Sequence, residues 1–167
     1  VRAATYPLAH RLCVQTEDIG QWFRSRLRID PAVIPNPVET GSSPEARQPR
    51  SNGRRTVVGL GRLEPQKSYG LLIDAFAAVS ADHPEWDLII HGEGSEREAL
   101  EARVRALSLE NRVFLPGVTA DSYGELRQAD LFVHTARYEG YPNAVIEACS
   151  VGVCVIALDA PGATREI

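Results

Sequence analysis

A chain of 167 residues, 44% hydrophobic and 24% charged, is long enough for one full globular domain and part of a second. Its net charge of −4 supplies no global basic field for nucleic acid or an anionic lipid surface. No apolar run reaches the roughly 18 residues of a membrane span, and the opening VRAATYPLAHRLCV lacks the long apolar core of a signal peptide.

Residues 1–38 read as one βαβ-like piece, with RLCVQT as a strand, EDIGQWFRSRL as a helix and AVIPNPV as an extended exit. Too small to bury a core alone, this piece is assigned as the tail of a preceding domain. ETGSSPEARQPRSNGRR, residues 39–55, is rich in Gly, Ser, Pro and Arg and reads as a linker. The composition contains no Met, the initiator included, and the chain stops at PGATREI just after a predicted strand. A fragment is therefore expected, with its second domain, residues 56–167, incomplete at the C-terminus.

From residue 56 apolar runs alternate with helical patterns. TVVGLG (56–61) is the first strand, followed by a helix whose stripe is Leu72, Phe76 and Val79. DLIIHG (87–92) is the second strand; Ser95 and Glu98 form a capping-box pair for a helix carrying Leu100, Val104 and Leu107. RVFLPG (112–117) is the third strand, and Asp121 caps a short helix with Tyr123 and Leu126. DLFVHT (130–135) is the fourth, Pro142 suits the first turn of the next helix, and VCVIAL (153–158) is the fifth. Continuous apolar strands alternating with helices predict a Rossmann-like, doubly wound parallel α/β sheet covered on both faces. Such sheets bind ligands at the C-terminal ends of their strands.

The candidate chemistry lies just after those strands. GLGRLEPQK places Arg62 and Lys67 in the first loop, where they suit a diphosphate or are two solvated surface cations. Gly59 and Gly61 are followed by Glu64, not the third glycine of a dinucleotide fingerprint, and no Walker loop follows. HGEGSERE gives a tight glycine turn into a helix N-terminus, either an anion site or a plain strand–helix turn. In EGYPNAVIE, Gly140 permits close backbone approach, and Pro142 and Asn143 open a helix carrying Glu147. Glu147 then lies roughly 6–8 Å along the axis, so it can share a pocket with Glu139 without touching it. Two carboxylates so placed can hold two ends of one long ligand; two exposed glutamates are the plain alternative. His10, His91 and His134 have no convergent metal spacing, and neither an Asp-x-Asp nor a Gly-x-Ser-x-Gly motif is present. Cys13, Cys149 and Cys154 show no paired metal spacing; Cys149 and Cys154, inside apolar segments, are expected as small buried hydrophobes of a reducing compartment.

Four stretches in order, VIPNPV, VVGLGRLEPQKSYGLLIDAF, LIIHGEGSEREALEARVRALSLENRVFLPGV and ADLFVHTARYEGYPNAVIEACSVGVCVIALDAPGATREI, resemble the retaining GT-B glycosyltransferases of family 4, glycosyl transferases group 1. The resemblance implies the C-terminal half of a GT-B fold, truncated here, which holds a nucleotide-sugar donor as substrate and needs no metal or other cofactor. By matching position, Arg62 and Lys67 would bind the diphosphate beside Gly61, Glu139 the donor sugar and Glu147 the ribose. Gly140, Tyr141, Pro142 and Asn143 would support sugar and phosphate. Gly92 and Glu93 would line the base and donor crevice, with Arg112 and Val113 against the nucleobase through backbone contacts. The catalytic set is Arg62, Lys67 and Glu139, which act by charge stabilisation and positioning. The implied partners are a donor, with a UDP-sugar preferred, and a glycan or lipid-linked acceptor, with no nucleic acid. A cytoplasmic location follows, with peripheral association of the full-length protein at the inner membrane face left open. Transfer by the fragment alone is expected to be negligible. A non-catalytic nucleotide-sugar-binding module is the alternative. Thr135 and Ala136 replace the family's usual Pro-Ser pair, and Ala163 stands where Gly is frequent.

Overall fold

A computed structural model describes residues 5–37, 53–160, 164, 166 and 167. The N-terminal piece is a parallel pair, β1 (Cys13–Val14) and β2 (Ala32–Val33), bridged by helix α1 (Glu17–Leu27). Thr16 starts α1: its extended backbone turns the side-chain oxygen onto the Ile19 amide at 3.2 Å. Arg28 ends it in a left-handed conformation. The helix matches its expected bounds. The strands are shorter than predicted, because among the described residues the pair has no third strand and so has ladder partners on one side only.

Residues 38–52, most of the expected linker, lie outside the described residues. Its last two positions belong to the fold: Arg54 hydrogen-bonds Asp87, and Arg55 opens the first strand of the main sheet.

That sheet comprises five parallel strands, β3 (Arg55–Leu60), β4 (Trp86–His91), β5 (Val113–Gly117), β6 (Leu131–His134) and β7 (Cys154–Ala157). Helices α2 (Tyr69–Ser80), α3 (Arg97–Ala106), α4 (Ser122–Gln128) and α5 (Asn143–Ser150) fill the crossovers. The strand order is β5-β4-β3-β6-β7, so the winding reverses at β3 and a switch-point crevice opens between the C-terminal ends of β3 and β6. Along β3, Val57 packs with Leu72, Ile73, Phe76, Leu88, Ile90 and Leu100 on one face, while Val58 packs with Leu126, Phe132, Val145 and Ala148 on the other. β3 and β4 are buried nearly throughout; β5 and β7, at the edges, are not. The edge position lets β5 carry Pro116, where the register with β4 slips by one residue between Ile89 and His91.

Several local expectations change. Val79 is 47% exposed, and the core stripe of α2 is Tyr69, Leu72, Ile73 and Phe76. Leu107 is 39% exposed; the chain reverses at Ser108, with φ of 55°, and buries Leu109 instead. The capping box does not form. Glu96 is the N-cap of α3 without a side-chain bond, while Ser95 donates its hydroxyl (2.9 Å) and amide (3.3 Å) to the Glu64 carboxylate. Asp121 does cap α4, accepting from the Gly124 amide at 2.7 Å. Pro142 is the N-cap of α5, one position before the first turn. Cys149 and Cys154 are exposed free thiols, contrary to expectation, because β7 is an edge strand whose pattern alternates with solvent and Cys149 lies on the outer side of α5.

Candidate functional site

β3 and β4 both end in glycine turns with positive φ, Gly61 at 147° and Gly92 at 151°. The turns interlock: Gly61 N donates to His91 O at 3.0 Å, and Leu63 N to Glu93 O at 2.8 Å. A Cβ on Gly61 would meet the Tyr69 hydroxyl at 3.0 Å and Lys67 Cε at 3.2 Å. The glycines thus bring the Arg62 backbone and the Lys67 side chain to the switch point without obstruction.

Lys67 ends a single 3-10 turn, Pro65–Lys67, that is laced to the loop after β6. Thr135 Oγ1 donates to Lys67 O at 2.8 Å, Arg137 N to Gln66 O at 2.9 Å, and Gln66 Nε2 to Tyr138 O at 2.7 Å. Two segments about 70 residues apart in sequence are thereby zipped together, and Lys67 Nζ is brought into an ion pair with Glu139. Both side chains are largely covered, at 17% and 11% exposure. Beside them His134, the last residue of β6, is 3% exposed, with Nε2 3.6 Å from Glu139 Oε1. Burial and the nearby Lys67 charge hold its imidazole below the usual histidine range, against the pull of Glu139.

These groups line a cavity of about 350 Å³ that Gly61, Arg62, Tyr141, Pro142, Asn143 and Glu147 also border. Glu147, one turn into α5, faces this space, and burial raises its carboxyl above the ordinary value. Glu139 and Glu147 therefore share one crevice, as their spacing predicts. Asn143 N is already engaged with Tyr141 O at 3.0 Å, so the first-turn amide next in line is that of Ala144, another lining residue. Gly140 is exposed, and a Cβ there would meet only Gln15 Oε1 at 3.7 Å.

A second hollow of about 380 Å³ adjoins the first through Leu60, Gly61, Arg62 and Ser122 and extends past His91, Gly92 and Glu93 to Val118 and Thr119. Glu93 shapes it while its carboxylate grips the Arg97 guanidinium through two contacts of 2.6 Å. His91 Nε2 lies 3.3 Å from a Glu125 carboxylate oxygen.

Arg112 and Val113 are not part of this crevice. Arg112 precedes β5, and its guanidinium reaches Trp86 O (2.7 Å), His83 O (2.8 Å) and Asp87 (3.3 Å), at the opposite, N-terminal edge of the sheet. Val113 is core. The residues of this motif that do reach the crevice are Val118 and Thr119, which follow the strand; the general rule about strand ends already singles out that loop. His91 and His134 line the two hollows, and Leu60, Gln66, Ser122 and Ala144 are lining residues that the sequence reading did not single out. Ala163 lies outside the described residues. Among the described residues no group of three or more His, Cys, Asp or Glu could hold a metal ion, and no helix is long and apolar enough to cross a membrane.

A parallel sheet with a two-part crevice at its switch point, edged by cations and carboxylates, defines a Rossmann-like ligand-binding domain of the GT-B kind. Residues 43–167 match the family described as glycosyl transferases group 1, and the chain belongs to that family. It is 33% identical over 177 residues to mannosylfructose-phosphate synthase of Agrobacterium fabrum, covering 98% of this chain and 38% of that protein. An uncharacterized glycosyltransferase of Methanocaldococcus jannaschii is 31% identical over 174 residues, covering 97% of this chain and 43% of that protein. Among solved structures, an S. aureus TarM mutant in complex with Fondaparinux, alpha-GlcNAc-glycerol and UDP superposes with a TM-score of 0.88 at 25% identity, over 98% of this chain and 33% of that one. The chain spans less than half the length of each of these relatives.

Proposed function

We propose that this chain is the donor-binding half of a retaining family 4 glycosyltransferase, which moves a sugar from a nucleotide diphosphate sugar to a glycan or lipid-linked acceptor. Arg62 and Lys67 take the diphosphate, Glu139 the hydroxyls of the transferred sugar, and Glu147 the ribose. The adjoining hollow, with Gly92, Glu93, Val118 and Thr119, takes the nucleobase. Gly140, Tyr141, Pro142 and Asn143 form the wall beside the sugar. As the glycosidic bond breaks, charge grows on the leaving diphosphate; the two cations and the start of α5 stabilise it, so the step needs no metal. The acceptor hydroxyl attacks from the face that the leaving group departs and passes its proton to the departing diphosphate oxygen, with Glu139 positioning the sugar. UDP in the TarM complex supports a UDP-sugar as donor. The acceptor side belongs to the part of such enzymes beyond this chain, so the chain alone binds donor and transfers negligible sugar. The reading goes with a cytoplasmic reaction, and a lipid-linked acceptor would be met at the inner face of the membrane.

The observation that carries this reading is the convergence of Lys67, Glu139 and Glu147, from three separate elements, on one switch-point crevice. Calorimetric titration with UDP, GDP, ADP and their sugars, with Mg²⁺ and with chelator, tests it. Binding of one nucleotide regardless of metal is expected, weakened about tenfold or more by Glu147→Ala and by Lys67→Ala. A folded chain that binds none of them sinks the proposal.

A further inference from the structure

Lys67 and Glu139 are given separate tasks in the donor complex, yet here they are bound to each other. A diphosphate that draws the ammonium toward itself weakens the hold on a carboxylate that is only 11% exposed. The sugar hydroxyls offer Glu139 neutral donors only, and a covered carboxylate stripped of its cation is costly, so a second charged partner is called for. One group is in place. His134 Nε2 is buried, makes no hydrogen bond among the described residues, and lies 3.6 Å from the same oxygen, Glu139 Oε1, that Lys67 holds. At 3.6 Å the contact is too long to be a hydrogen bond, but a small rotation closes it.

We propose that His134 is a positioning residue that takes over Glu139 when a donor diphosphate engages Lys67, binding one proton from solvent as it does so. The inference rests on the donor-site reading. Lys67 stays an ammonium and donates to the phosphate oxygens. His134 gains a proton on its imidazole, and Nε2–H then donates to Glu139 Oε1, leaving an imidazolium–carboxylate pair.

The charges around His134 favour this sequence. Lys67 comes from the turn after β3, Glu139 from the loop after β6, and Glu147 from α5 across the cavity. The buried Tyr69 hydroxyl of α2, which interacts with Glu139, stays neutral because burial pushes its pKa up. Arg62, just past β3, borders the same cavity as a second cation that a diphosphate engages, and Asp159 follows β7 by two residues. In the empty site burial first and then the Lys67 charge disfavour protonation of His134, and Glu139 favours it. A bound diphosphate offsets the Lys67 charge while the pull of Glu139, freed of its ammonium partner, grows against the burial cost, so the proton affinity of His134 rises on binding.

The test is calorimetry on the full chain near pH 7, with UDP-glucose, GDP-mannose and ADP-glucose as probes, repeated in buffers of low and high ionisation enthalpy. These diphosphate diesters carry no terminal phosphate that titrates in this range. The observed enthalpy should vary with buffer ionisation enthalpy with a slope on the order of half a proton taken up or more. His134→Asn should abolish the slope. In unmodified protein the His134 ring resonances should move toward their protonated positions on saturation, a readout that does not depend on how the variant folds. Donor binding with a flat buffer dependence overturns the proposal and leaves the donor site intact. A slope that survives in His134→Asn assigns the proton elsewhere and overturns it too. Failure of every probe to bind removes the donor-site reading, and this inference with it.

Discussion

Gly92 lies directly against the Gly61 carbonyl: a Cβ on Gly92 would meet that oxygen at 1.9 Å and its carbon at 2.9 Å. The contact is between two backbones, so no side chain can yield, and Gly92 also sits at φ of 151°. Gly92→Ala should therefore cost at least about 3 kcal/mol in a denaturant titration. Gly140→Ala is the contrasting case. Its Cβ meets only a side-chain oxygen at 3.7 Å, and stability should change by less than about 0.5 kcal/mol. A loss of nucleotide-sugar affinity in Gly140→Ala then reports on the ligand and not on the fold.

The far edge of the sheet supplies a second contrast. Asp87, 8% exposed, accepts from Arg54 Nε at 2.5 Å and lies 3.3 Å from Arg112 Nε. Removing the carboxylate leaves two guanidinium groups without their shared anion. Asp87→Ala should cost about 2–3 kcal/mol, less than a fully buried pair because Arg54 is 35% exposed. Arg112→Ala should lower stability as well, yet leave donor affinity in the folded protein within about twofold, because its guanidinium lies at the edge opposite the crevice. A tenfold loss of affinity in Arg112→Ala by calorimetry would contradict that placement.

Most of the architecture was legible in the sequence, for identifiable reasons. Val57 and Val58 read as neighbours in one apolar run, and a run that is apolar at both parities requires cover on both faces. The helix over residues 17–27 was legible in EDIGQWFRSRL, while the structure adds that Thr16 before it is the cap. Whatever depends on which strand lies next to which was harder. The exposure of Cys154 follows from β7 being an edge, and the capping of Ser95 by Glu64 follows from the docking of two glycine turns. The Lys67–Glu139 pair joins residues 72 apart and depends on backbone bonds that local pattern cannot show. Arg112 stands away from the hollow for a related reason: motif order identifies the strand, while the end of the strand decides which residues line the crevice.

Glu147 sets binding against stability. Burial raises its carboxyl above the ordinary value of 4.5, so the folded state disfavours the charge. With the folded value above the unfolded one, the protonated form is the better tolerated, and the folded protein loses stability as pH rises through the raised value. Glu147→Gln removes that penalty. The variant should melt higher than the parent at neutral pH, with the gap closing as pH falls below about 4.5. Donor affinity should fall about 10- to 100-fold, since hydrogen bonds to a charged acceptor are being replaced. Thermal melts across pH and calorimetry at neutral pH measure the two effects separately; a melting gain that persists at low pH would rule out the ionisation argument.

The N-terminal piece is tied to the main domain at its helix start. Glu166 Oε1 accepts from Asp18 N at 2.7 Å, and Oε2 from Glu17 N at 3.0 Å, so one carboxylate serves two first-turn amides of α1. Thr16 serves the Ile19 amide, which leaves little redundancy at this end. The geometry sets the two bonds and the favourable N-terminal dipole against like charge, because Glu17 and Asp18 already stand in that turn. Glu166→Ala should cost α1 about 1 kcal/mol locally. Hydrogen exchange reads this out: the Glu17 and Asp18 amides should exchange about fivefold faster or more, while the β3 and β4 amides keep their rates. A second tie, Asn36 Nδ2 to Asn143 Oδ1 at 3.0 Å with Gln15 Nε2 on Asn36 Oδ1 at 2.5 Å, runs from the same piece to the first residue of α5. In Glu166→Ala that tie should hold the two parts in register, so donor affinity should stay within about twofold. Adding Asn36→Ala should weaken donor affinity further than the two single changes combined, because both ties bear on one docking surface. Strict additivity of the two changes would show that α1 and α5 are held independently.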